Sequence, residues 1–115
     1  MIEKQTAPHY SWGDGCDGWR LVRTPTLSVI EERMPPGASE VRHYHRSATQ
    51  FFYVLHGTLS IEVDEREQEL SPGQGILIPA GQAHPVLNRS EEAAEFLVVS
   101  NPPSQDDRVP AEPLP

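Results

Sequence analysis

The chain has 115 residues, enough for one domain whose core needs no disulfide. Its 9 Lys and Arg stand against 17 Asp and Glu, a formal charge of −8, which repels phosphate backbones and argues against a nucleic-acid partner. The 8 Gly and 12 Pro divide short apolar runs, the pattern of an all-β chain with frequent turns.

Residues 1–18 read as an N-terminal arm. Trp12 precedes GDGCDG, a run of turn formers. Trp12, Trp19 and Cys16 are expected to pack the arm onto the rest of the fold. Cys16 is the only cysteine, which rules out an internal disulfide and fits a reducing compartment. No apolar core of signal-peptide length follows Met1, and no run approaches the ~20 apolar residues of a membrane span. The expected location is the cytoplasm, with no membrane partner.

Trp19 to Arg23 and Thr26 to Met34 read as strands divided by Pro25. Ser39 to Arg46 alternates, with Val41, His43 and His45 on one face. In the strand Gln50 to His56, Gln50, Phe52 and Val54 share a face, and Phe51, Tyr53 and Leu55 share the other. Both faces are apolar, so the arm or a second subunit is expected to cover the outer one. Thr58 to Val63 alternates, and the charged run Asp64 to Glu67 marks a solvated hairpin tip. Gly75 to Pro79 and Ala83 to Asn88 are short strands, and Ala94 to Ser100 is the last long one. The proline-rich residues 101–115 are expected to be extended, without regular structure.

Two histidines at i and i+2 on a strand point the same way, so the rings of His43 and His45 can converge on one ion. His84, on another strand, is a candidate third ligand. Imidazole suits Zn, Cu, Fe and Ni, and three or four protein ligands leave open positions for substrate. Phe52, Val54, Ile76, Val86 and Phe96 have the character of an apolar pocket wall, but each is read first as plain core. Tyr44, Tyr53, His56 and His9 are placed away from the site, and Glu31, Glu32, Glu40 and Glu62 read as outward or turn residues.

The spacing of these residues is the strongest signal in the chain. Gly37, His43, His45, Gln50 and Gly57 are followed, after fifteen residues, by Gly73, Pro79, Gly81, His84 and Asn88. This strongly resembles the two signature motifs of the cupin superfamily, with nine of ten positions matched and Gln50 standing where the family has Glu. The resemblance implies an all-β, single-domain, double-stranded β-helix (jelly-roll) barrel over residues 19–100, and it implies a homodimer. It also implies a divalent transition metal (Zn, Fe, Ni, Mn or Cu) held by His43, His45, Gln50 and His84. Alternatively, Gln50 hydrogen-bonds a water while three histidines ligate. A neutral amide leaves the ion more positive than a carboxylate would, which strengthens it as a Lewis acid.

The leading expectation is a metalloenzyme of isomerase or lyase type acting on a small oxygenated metabolite. The alternatives are an Fe-dependent dioxygenase and a non-catalytic module that binds or senses a small ligand. Cupins acting on unsaturated uronates look similar in having three His plus Gln. They carry an Arg after a Pro-Pro, where this chain has Ser104 after Pro102-Pro103. Asn88 is expected to hydrogen-bond neighbouring backbone.

Overall fold

The computed structural model describes residues 1–104 and 107–111. Apart from one 3-10 turn at Lys4–Thr6, the regular elements are strands: β1 His9–Trp12, β2 Cys16–Arg23, β3 Ser28–Met34, β4 His43–His45, β5 Thr49–His56, β6 Leu59–Val63, β7 Arg66–Leu70, β8 Gly75–Ile78, β9 Val86–Leu87, β10 Ala94–Asn101 and β11 Arg108–Pro110. The all-β double-stranded β-helix expected from the sequence is the fold observed.

One layer is a six-stranded sheet in the order β1-β2-β3-β10-β5-β8. The other layer is built from two small sheets, the two-stranded β11-β4 and the three-stranded β7-β6-β9. The two small sheets are joined by main-chain bonds from Glu40 N–H to Val86 O and from His84 N–H to His43 O. Alternation sends Val54, Phe96, Val98, Met34 and Ile78 inward from the first layer, where they meet Leu59, Ile61 and Val86 from the second. Burying this set supplies the main driving force for folding.

Turn chemistry fixes the register. Asp64 and Glu65 both take positive φ (52° and 63°), so β6 and β7 close through a two-residue turn with Val63 opposite Arg66. Gly57 also has positive φ, and a Cβ there would lie 2.4 Å from Ala93 O. Asn88 pins the second layer to the first: its Nδ2 donates to Met34 O and Glu92 O, while its Oδ1 accepts from Ser90.

Several expectations require correction. The arm is part of the sheet: Cys16 to Gly18 belong to β2, and β1 pairs with β2. It therefore lies at the opposite edge from β5 and β8 and does not cover their outer face. The stretch Ser39 to Arg46 is a strand only over His43–His45, and Val41 is exposed. Ala83 to Asn88 likewise narrows to Val86–Leu87. The proline-rich tail is not irregular throughout, since β11 pairs with β4. The tail is anchored by Asp107, whose carboxylate accepts from the N–H groups of Arg46, Ser47 and Ala48 at 2.8–2.9 Å. Residues 105–106 and 112–115 of the expected tail lie outside the described residues. No helix among the described residues is long and apolar enough to cross a membrane.

Candidate metal centre

His43 and His45 project from β4 into the barrel, and His84 reaches them from the chain leading into β9. All three are buried, at 3%, 5% and 1% exposure. Their rings lie 4.8–5.5 Å apart, centre to centre. One ligand atom from each falls within 4.8 Å of the others. No other group of three His, Cys, Asp or Glu among the described residues meets that condition.

Tautomers follow from the backbone. His43 Nδ1 is 2.8 Å from Val41 O and His84 Nδ1 is 2.8 Å from Gln82 O. A carbonyl only accepts, so each Nδ1 carries the proton and each Nε2 presents a lone pair. Burial lowers all three basicities, to about 3 for His43 and about 4 for His45, so at neutral pH the rings are uncharged donors. His45 Nδ1 is buried without a hydrogen-bond partner among the described residues.

Gln50, from β5 in the facing layer, completes the cluster. Its Nε2 donates to Ser100 Oγ at 3.0 Å and to Ser104 Oγ at 3.3 Å. That leaves Oε1 facing the triad, 2.9 Å from His84 Nε2. With Nδ1 protonated, the two facing atoms are both acceptors. Two acceptors at this separation suit neighbouring ligands on one cation, which stand roughly 3 Å apart when each bond is about 2.1 Å. The donor set, the orphaned nitrogen of His45 and this facing pair all fit a divalent transition metal. The second hydroxyl clamp comes from Ser104, in the tail.

The cluster opens into a cavity of about 230 Å³ lined by Tyr10, Trp12, Glu32, Phe52, Val98 and Arg108, with Arg20, Ile30, Glu40 and Ser100 between them. Phe52 lines it, and the other four residues of that apolar set follow the core reading. Val54, Val86 and Phe96 are fully buried core, and Ile76 packs against that core. A larger depression of about 730 Å³, lined by Arg23, Thr24, Pro25, Ser47, Pro102, Pro103 and Asp107, holds none of the histidines.

The carboxylates are the main correction. Glu32 and Glu40 face the cavity rather than solvent. Burial and the neighbouring Glu40 push Glu32 up to about 8, against the pull of Arg108. Burial lifts Glu40 to about 7, offset by Arg108 and a Val86 backbone bond. Glu40 also sits 3.9 Å from His43 Nδ1 and 3.8 Å from Arg108. The signal for Glu32 was available in the sequence, since it shares parity with Ile30 and Met34 in the run SVIEERM. Tyr10, Trp12 and Arg108 carried no such signal, because sheet pairing alone brings the two ends of the chain to the cavity.

Residues 30–100 match the Cupin domain family model, and the chain belongs to that family. The chain is 32% identical over 69 residues to the polyketide synthase CurC of Streptomyces cyaneus, covering 60% of this chain and 45% of that protein. It is 36% identical over 56 residues to quercetin 2,3-dioxygenase of Bacillus subtilis, covering 49% and 17% respectively. It spans less than half the length of these curated relatives. A sugar phosphate isomerase from a cupin superfamily of Silicibacter pomeroyi superposes with a TM-score of 0.79 at 28% identity, over 90% of this chain and 76% of that one.

Proposed function

We propose that this cupin is a metal-dependent enzyme of isomerase or lyase type. Its metal would be held by His43, His45, His84 and the Oε1 of Gln50, and its substrate would be a small oxygenated metabolite bearing negative charge. The observation that carries the reading is the Gln50 amide, fixed by Ser100 and Ser104 so that an uncharged oxygen joins three uncharged imidazoles. When bound there, a divalent ion would supply Lewis-acid polarisation of a carbonyl or carboxylate oxygen. The chain supplies the rest. Arg108 and Arg20 give the cavity positive charge to orient an anion, and Tyr10, Trp12 and Phe52 give it apolar walls that limit water. The similarity to a sugar phosphate isomerase agrees with a small anionic substrate.

An Fe-dependent dioxygenase is the second reading, favoured by the similarity to quercetin 2,3-dioxygenase. Turnover of a panel of sugar acids, sugar phosphates and keto acids under strict exclusion of oxygen separates the two. Metal-dependent turnover without oxygen is expected. Turnover only with Fe(II) and oxygen would overturn the reading, and ligand-induced stabilisation without turnover would leave a binding module. We also propose a cytoplasmic homodimer, supported by an exposed apolar strip on β5 and β8.

A further inference from the structure

One carboxyl in the cavity, that of Glu32, has no hydrogen bond or close ion pair among the described residues. Glu32 lies on the inner face of β3, and its cross-strand neighbours there are Phe96 on β10 and Gly18 on β2. Gly18 contributes no side chain, and the ring of Tyr10 fills the space: a Cβ at Gly18 would lie 2.2 Å from Tyr10 Cζ. Arg20 sits over that same ring, 4.5 Å from its centroid. Glu40 has His43, Arg108 and Val86 as partners, whereas the Glu32 side chain makes no hydrogen bond or close ion pair among the described residues and is reached only by the more distant charges of Arg108 and Glu40. A carboxyl placed between an aromatic ring and a bare backbone loses hydration that no contact here returns. It nonetheless opens onto the same cavity as His43, His45 and Gln50.

We propose that Glu32 is the proton-transfer residue of this site, acting on a carbon next to the carbonyl of the bound substrate. This rests on the Lewis-acid reading above. The Glu32 carboxylate removes the proton, so a C–H bond breaks and an O–H bond forms on Glu32. The electron pair moves into the adjacent C–C bond while the carbonyl oxygen gains negative charge. Glu32 then returns the proton to the former carbonyl carbon while the neighbouring hydroxyl passes its own proton to the first oxygen and becomes the new carbonyl, giving an isomer. Alternatively, Glu32 gives it to an oxygen on the next carbon as that C–O bond breaks, the carbonyl re-forms and the enolate pair becomes the new C–C double bond, giving elimination. Its raised proton affinity keeps both protonation states populated near neutral pH, as such a carrier requires. The charged and titratable groups lining the same cavity are Tyr10, Arg20, Glu40, His43, His45 and Arg108.

The test is hydrogen–deuterium exchange of pyruvate and dihydroxyacetone phosphate in D₂O, followed by proton NMR, using the full zinc-treated chain. Wild type is expected to exchange the hydrogens next to the carbonyl. Glu32→Gln should slow this by about 100-fold or more, and Glu32→Asp should retain part of it. Zinc content should match wild type in both variants, and Glu32→Gln should melt no lower than wild type. Equal exchange by Glu32→Gln, or no exchange by wild type above the buffer rate, overturns the assignment. Zinc content separates the two levels of the argument. Zinc held without exchange removes Glu32 alone. Failure to bind zinc removes the Lewis-acid reading and, with it, the assignment that rests on it.

Discussion

In the proposed centre a single amide sets which atom of Gln50 faces the histidines. An imidazole can face an ion with either nitrogen, but His43 and His84 are committed by the carbonyls of Val41 and Gln82, two residues before each. Gln50 is committed by two hydroxyls, and only its oxygen is left for the triad. Partners that orient ligands in this way commonly affect metal affinity by about 10-fold or more. Gln50→Glu would replace the neutral oxygen with a charged one. Titration of the metal-free protein with Co(II) should then show tighter binding, by about 10-fold, and a changed visible spectrum. Unchanged affinity and spectrum would take Gln50 out of the ligand set.

Among the elements, the central strands were legible and the outer ones were not. The parity of Gln50, Phe52 and Val54 on β5 follows from period-two alternation, and the spacing of glycines and histidines placed the triad. The short β4 fooled the pattern, because Val41 lies just outside it and turns to solvent. β1 and β11 were invisible, because an edge strand is defined by the neighbour it pairs with. Yet these two strands bring Tyr10, Trp12 and Arg108 to the cavity. Sheet edges also bear on assembly. On the outer face Phe51 pairs with Leu77, and with nearby Leu55 they are 37%, 64% and 41% exposed. A second copy would bury this strip. Sedimentation should give a dimer, and Leu77→Asp should shift it to monomer. A wild-type chain that sediments as a 12.8 kDa monomer would count against the pairing.

For the whole molecule, the two layers divide the work. The large sheet supplies Gln50, Glu32 and most of the apolar wall, while the smaller layer carries the histidines and Arg108. Neither layer alone forms the site. The C-terminal segment ties them, with Ser104 on Gln50, Asp107 on the turn before β5, and β11 on β4. The central claim is that this shared space holds a metal, and the metal content of protein purified without added metal tests it most directly. The account predicts about one divalent transition-metal ion per chain in wild type and its loss in a folded His84→Ala variant. A wild-type chain that takes up no metal under any loading condition, or a variant that keeps it, would contradict the account.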